Sequence, residues 1–168
     1  MTPDRPILHM LCGKIASGKS TLAGRLAAAD GAILLAEDAW LAALFGDELK
    51  TLDDYVRCTR RLRVAMAPHV CALLGANVTV VLDFAANTPG QRSWMRGLLD
   101  SARAHHRMHV IEVPDAICLA RLRSRNAEGA HPFTVTERQF HAFSRHFQRP
   151  DAEEGFDLVH YDETLGPA

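Results

Sequence analysis

Gly13-Lys14-Ile15-Ala16-Ser17-Gly18-Lys19-Ser20 is the stretch on which the reading of this chain turns. It fits G-x-x-x-x-G-K-[ST] at every fixed position. Gly13 and Gly18 let the backbone curl until successive N–H groups converge on one point, a concavity that suits phosphate oxygens. A helix opening at Lys19 adds its unsatisfied N-terminal donors and the positive end of its dipole. Lys19 is placed to reach β- and γ-phosphates, and the Ser20 hydroxyl to ligate Mg²⁺. The candidate nucleotide-binding set is therefore Gly13, Lys14, Ala16, Ser17, Gly18, Lys19, Ser20 and Thr21. A chance match in a Gly-rich turn would lack the flanks seen here. Residues 7–12 form a short apolar run suited to a buried strand. Residues 19–29 repeat Leu22, Ala23, Leu26 and Ala27 at helical spacing before Asp30-Gly31.

Outward from that loop, strands and helices alternate. Residues 32–35 read as a second short strand. Residues 38–45 read as a helix with Asp38 as its N-cap, and a longer helix runs from Thr51 towards Gly75. The β-branched run 78–82 is the clearest strand, with Asp83 at its end. Thr88-Pro89 starts a helix that continues to about residue 104. A strand over 108–113, a helix over 115–126 and a polar loop over 127–133 follow. Thr134-Val135-Thr136-Glu137 matches a capping box and opens a helix reaching residue 147, and 156–161 reads as a last strand. Such alternation predicts an α/β fold, a parallel sheet covered on both faces. The whole chain, 1–168, reads as one domain, with an expected lid around 121–134.

Composition sets limits on partners. The 168 residues are 48% hydrophobic and 23% charged, which suits one globular core. A net charge of −1 argues against a general coat for nucleic acid or anionic membrane. No apolar run approaches the roughly 20 residues a membrane-spanning helix needs, and no leader pattern opens the chain, so the expected location is the cytoplasm. Lysine occurs only at positions 14, 19 and 50, so arginine supplies 16 of the 19 basic side chains. Six of those arginines fall in 118–149, and the following tail, 150–168, carries acids alone. Cys12, Cys58, Cys71 and Cys118 have no metal-ligand spacing and read as buried free thiols. The nine histidines match no zinc pattern.

In an α/β sheet, chemistry gathers beyond the carboxyl ends of the strands. Two acids fall there: Asp38, with Glu37 as its rival, and Asp83. Phosphoryl transfer needs one carboxylate to orient the attacking hydroxyl and accept its proton, and another to hold the Mg²⁺ shell; Asp83 is assigned to the metal side with Ser20. Arg121 and Arg125 share a helix face just before the polar loop, where a guanidinium can stabilise charge on a transferring phosphoryl group. Arg92 reads either as a surface residue or as one that approaches substrate or phosphate. No N-K-x-D or L-S-G-G-Q segment is present, which argues against a guanine-specific GTPase and a transporter ATPase.

These residues resemble those of the small P-loop kinases that include chloramphenicol phosphotransferase, the zeta-toxin kinases, the polynucleotide 5′-kinase domain and short bacterial ATP-binding proteins. The resemblance runs from about Ile7 to Tyr161. It rests on Gly13–Ser20, Leu35-Ala36-Glu37-Asp38-Ala39-Trp40, Val81-Leu82-Asp83-Phe84 with Thr88 and Arg92, and Arg121-Leu122-Arg123-Ser124-Arg125-Asn126. Phe133-Thr134-Val135-Thr136 and Phe147-Gln148-Arg149-Pro150 are also similar. The resemblance implies a P-loop NTPase three-layer sandwich of nucleoside-monophosphate-kinase type, with a five-stranded parallel sheet and the Asp83 strand beside the P-loop strand. It implies Asp38 rather than Glu37 as general base, and Arg125 or Arg121 as the lid arginine on the phosphates. Polynucleotide kinases often carry an arginine shortly after the base, where Leu41 and its apolar neighbours stand here. That departure favours a small hydroxyl acceptor over nucleic acid. The expected activity is an ATP- and Mg²⁺-dependent kinase. A polynucleotide 5′-hydroxyl kinase and a nucleotide-binding regulatory module stand as alternatives.

Overall fold

A computed structural model describes residues 5–129 and 131–166; Ala130, inside the expected lid, lies outside the described residues. The elements in chain order are β1 (Ile7–Cys12), α1 (Lys19–Asp30), β2 (Ile33–Ala36), α2 (Glu37–Phe45), α3 (Leu52–Gly75), β3 (Val80–Ala85), α4 (Pro89–Ala102), β4 (His105–Ile111), α5 (Asp115–Glu128), α6 (Glu137–Ser144) and β5 (Leu158–Tyr161). A 3₁₀ turn, Ala152–Glu154, precedes β5. The five strands form one sheet in the order β2-β3-β1-β4-β5, and every pairing is parallel. The strand bearing Asp83 does lie beside the P-loop strand.

Alternation along the central strands divides the core into layers. Leu8, Met10, Cys12, Val80, Leu82, Phe84, Met108 and Val110 face one side, where they meet Leu62, Met66 and Val70 of α3 and Met95, Leu98 and Leu99 of α4. Leu11, Val81 and Ile111 face the other, against Leu22 and Ala23 of α1. Strands buried on both faces read as continuous apolar runs, as β1 and β3 do. A third cluster joins Cys118 and Leu122 of α5 to Phe140 of α6, with Ile15 and Ala16 of the P-loop packed against it. The phosphate loop is thus seated on the α5–α6 pair as well as on the sheet.

Several element ends differ from the sequence reading, each for a local reason. Asp38 is no N-cap: α2 begins at Glu37 with Ala36 in the cap position, so Asp38 sits inside the first turn. The capping box before α6 uses Thr136 and Gln139, two residues beyond the expected Thr134 and Glu137. Both frames satisfy T-x-x-[EQ], and α6 closes already at Ser144. The Thr51 and Thr88 starts are both full capping boxes, closed by Asp54 and Gln91. β3 runs on to Ala85, so Asp83 lies within the strand and not at its end. There the β1–β3 register shifts, Met10 facing Leu82 while Leu11 faces Ala85. A bulge of this kind re-aims side chains, and it falls at Asp83.

Candidate active site

The P-loop has the geometry its glycines foreshadow, for two different reasons. Gly18 adopts φ 105°, a left-handed conformation that side chains resist. Gly13 is needed for space: a Cβ there would come within 2.5 Å of Ser17 Oγ. Ala16 also takes a left-handed φ of 61°, which turns neighbouring N–H groups toward the same concavity. Lys19 Nζ donates to the carbonyl oxygens of Gly13 and Lys14, the latter at 2.9 Å. Burial pushes its ammonium below the ordinary lysine range, opposed by the nearby Asp83, Cys12 and Asp38.

One cavity of about 750 Å³ gathers most of the expected residues. Lys14, Ala16, Gly18, Lys19, Ser20 and Thr21 line it, as do Asp38, Asp83, Arg121 and Arg125. Gly13 and Ser17 are not among its lining residues. The Gly13 N–H is taken by Asn87 Oδ1 at 2.8 Å, and Ser17 is 1% exposed with a hydroxyl that has no partner among the described residues. Lys14 reaches away from the loop to Asp115, 2.7 Å from its Oδ1. Burial raises the Asp83 carboxyl above the ordinary aspartate range, countered by the Ser20 hydroxyl and by Lys19.

The two candidate bases occupy different surroundings. Glu37 is 4% exposed and tied to Arg63, whose Nε and Nη2 both lie 3.2 Å from Oε1. Burial pushes the Glu37 carboxyl up, and Arg63 opposes this. Arg63 is itself held by the Ala85 carbonyl and stacked 5.2 Å from the Trp94 ring. Asp38 keeps a side chain 40% exposed toward the cavity, with His131 Nε2 3.2 Å from its Oδ2.

The two arginines also part company. Arg121 spends its guanidinium on backbone, donating to the Ser17 carbonyl at 3.2 Å and the Glu163 carbonyl at 2.7 Å. It braces the P-loop against the 162–166 loop. There Asp162 Oδ1 accepts from Thr164 and Gly166, and Leu165 lies over Gly18. Arg125 lines the same cavity with a buried Nε that has no partner among the described residues. Burial lowers its pKa against the pull of Asp38. Arg92 is neither exposed nor among the residues that line the cavity: it is 1% exposed and paired with Glu154 at 2.7 Å.

Three residues of the site carried no signal in the sequence. Asn87 grips Gly13 through both ends of its amide. His131 reaches Asp38 from the loop after α5. Tyr55 joins Phe133 and Phe143 in an edge-to-face aromatic wall of the cavity. Among the described residues, no three His, Cys, Asp or Glu side chains gather into a metal cage. None of the described helices is long and apolar enough to cross a membrane.

A family model described as an AAA domain matches residues 8–150, most of the chain. The chain belongs to the AAA domain family. Solved structures share the fold of this AAA domain. A candidate kinase from Chloroflexus aurantiacus superimposes with a TM-score of 0.77 at 20% identity, covering 97% of this chain and 88% of that one. Kti12 of Chaetomium thermophilum, in complex with ADP-AlF3, has a TM-score of 0.68 at 16% identity, over 94% and 89% of the two chains. The APS kinase CysC of Mycobacterium tuberculosis, in complex with AMPPNP and APS, has a TM-score of 0.61 at 22% identity, over 95% and 90%. At such identities the likeness is one of fold. No curated protein matches this AAA domain in sequence. The architecture is that of the P-loop kinases, a three-layer α/β sandwich on a five-stranded parallel sheet.

Proposed function

We propose that the chain is an ATP- and Mg²⁺-dependent kinase that transfers the γ-phosphoryl group of ATP to a hydroxyl of a small molecule. The observation that carries this reading is the convergence on one cavity of the P-loop, Asp83, the partly exposed Asp38 carboxylate and the buried Arg125 Nε, which has no partner among the described residues. Phosphoryl transfer asks little covalent work of a protein; it asks for positioning and for charge around the moving group. The left-handed turns at Ala16 and Gly18 and the start of α1 suit a triphosphate. The Ser20 hydroxyl and Asp83 carboxylate are hard oxygen donors and would hold Mg²⁺. When bound, that ion neutralises charge on the β- and γ-phosphate oxygens. Lys19 would leave its loop carbonyls for the phosphates. Arg125 would direct its vacant N–H at the equatorial oxygens, while Arg121 keeps its bracing role. Asp38 would orient the acceptor hydroxyl and accept its proton, since Glu37 is committed to Arg63. An APS kinase of the same fold, in complex with AMPPNP and APS, supports a site that takes a nucleotide and a second small molecule together.

The charge pattern weighs against a nucleic-acid strand groove over 118–149. Arg123 is paired with Glu137, Arg149 with Glu112, and Arg121 with backbone carbonyls. A γ-phosphate transfer assay against sugars, nucleosides, antibiotics and oligonucleotides tests the proposal. Expected is a labelled small acceptor with the wild type and none with Lys19→Ala. Asp38→Asn should keep ATP binding and lose about 10²–10⁴ in transfer. Phosphate release without a labelled acceptor, unchanged in Asp38→Asn, would mark a regulatory nucleotide-binding module instead. Labelled oligonucleotides alone, with binding that weakens steeply in salt, would mark a 5′-hydroxyl kinase.

A further inference from the structure

His131 stands on the loop between α5 and α6, and its imidazole is fixed at both nitrogens. Nε2 lies 3.2 Å from Asp38 Oδ2. Nδ1 lies 3.1 Å from the Phe133 carbonyl oxygen and 3.2 Å from the Phe133 amide nitrogen. Two protonation states satisfy these neighbours. A neutral ring protonated at Nε2 accepts the Phe133 N–H at Nδ1, and a cationic ring donates Nδ1–H to the Phe133 carbonyl. Both present an Nε2 proton to the Asp38 carboxylate. The remaining tautomer would set a lone pair against an anion. With Nε2 turned to Asp38 and Nδ1 to Phe133, His131 keeps no lone pair for a substrate proton, so it is not itself the base.

What His131 can do is hold Asp38 still. Asp38 is a 40% exposed carboxylate with no other ion-pair partner among the described residues. Left alone, such a side chain is free to change rotamer. The imidazole is in turn tied to the aromatic wall: its ring tilts against Phe133 at 6.2 Å, and Phe133 meets Tyr55 edge-on at 6.3 Å. All four side chains line the same cavity. We propose that His131 is a positioning residue: it presents its Nε2 proton to Asp38 and so aligns the base only while the loop packs Phe133 onto Tyr55. The inference rests on the reading of Asp38 as the base.

Kinetics with the acceptor found in the panel test it. A misplaced catalytic group costs about 10²-fold, so His131→Ala should lower kcat by about 10- to 100-fold and leave KM for ATP unchanged. His131→Gln, whose amide N–H can meet the same carboxylate, should recover most of that loss. His131→Phe keeps a ring against Phe133 but carries no proton, and should not recover it. In the Asp38→Asn background, His131→Ala should add no further loss. Wild-type kcat in His131→Ala, rescue by His131→Phe, or a full multiplicative loss in the double variant would overturn the proposal. Asp38→Asn with full transfer would overturn the base assignment as well, whereas a dead Asp38→Asn beside a fully active His131→Ala removes the role of His131 alone. Ring ¹⁵N spectra of the free protein give a readout without turnover. The His131 nitrogens should shift between wild type and Asp38→Asn, and identical spectra would also overturn the proposal.

Discussion

Asn87 spends both ends of its amide on a single glycine. Oδ1 accepts the Gly13 N–H and Nδ2 donates to the Gly13 carbonyl, each at 2.8 Å. Its own backbone is held just as firmly: the N–H donates to Gln91 Oε1, and the carbonyl accepts from Gln148. The start of the P-loop therefore takes its position from α4 and from the segment after α6. Leaving part-buried backbone groups unpaired costs about 1–3 kcal/mol each. Asn87→Ala should accordingly weaken ATP binding by roughly tenfold or more, since 1.4 kcal/mol is tenfold in affinity. Asn87→Asp should fare worse, because it turns an acceptor toward the Gly13 carbonyl. Calorimetric titration with ATP checks both, and wild-type affinity in Asn87→Ala would remove the clasp from the account. The fixed residues of the loop were legible because a local octet must place N–H groups by itself. Asn87 was not, since its partner lies 74 residues away and an asparagine after a strand carries no motif.

Between elements, the same distinction decides what the sequence shows. The apolar runs of β1 and β3 and the helix starts at Thr51 and Thr88 announce themselves, because each is settled by side chains within one turn or one strand. The start of α6 is not so settled: two overlapping frames fit the same pattern, and the helix takes the later one. The histidines of β1 and β4 were likewise unreadable, since they become a pair only through strand register. His9 Nδ1 and His109 Nε2 lie 2.9 Å apart, and His109 Nδ1 lies 3.0 Å from the Tyr161 hydroxyl. His9 Nε2 is 3.0 Å from Asp30 Oδ2. With both rings neutral, Tyr161 donates to His109, and His109 Nε2–H donates to His9. Burial lowers the His9 pKa, with Asp30 opposing, and lowers His109 to about 4, with His9 and Arg107 adding to the effect. The unfolded chain titrates these rings near 6.5, so below that pH it binds more protons than the folded one. Stability is therefore full above about pH 6.5 and falls as the pH drops toward 4, by about 3 kcal/mol from His109 alone. His109→Gln should flatten that slope in urea unfolding between pH 7 and pH 4.5. An unchanged slope would place the acid sensitivity elsewhere.

At the scale of the molecule, Arg92 is the side chain that closes the chain on itself. It belongs to α4, yet Nη1 donates to the carbonyls of Ala86 and Gln148 at 2.9 and 2.8 Å. Nε and Nη2 form a two-point pair with Glu154 at 2.7 and 2.9 Å. Arg96 adds a bond to the Glu154 carbonyl and lies 4.2 Å from the Phe156 ring centroid. The end of β3, the segment after α6 and the turn before β5 all meet at one guanidinium that is 1% exposed. The pairing with Arg92 holds the Glu154 carboxyl below the ordinary glutamate range. Sequence spacing reads surface, substrate or phosphate for Arg92 because, Ala86 apart, its partners come 56 to 62 residues later. Such a group is stable only while every donor is met, and removing one member of a buried pair costs about 3–5 kcal/mol. Arg92→Ala should lower the stability by about that amount, and Glu154→Gln by less, since Glu154 is partly exposed and its amide still accepts one bond. Urea midpoints measure both. The loss should also reach the P-loop, because the carbonyl of Ala86 and the neck at Gln148 flank Asn87. Arg92→Ala kept folded by excess ATP should then bind nucleotide more weakly than Arg92→Lys. Equal affinities for those two variants, with Arg92→Ala at the wild-type midpoint, would show that the sheet edge and the P-loop hold without this clamp.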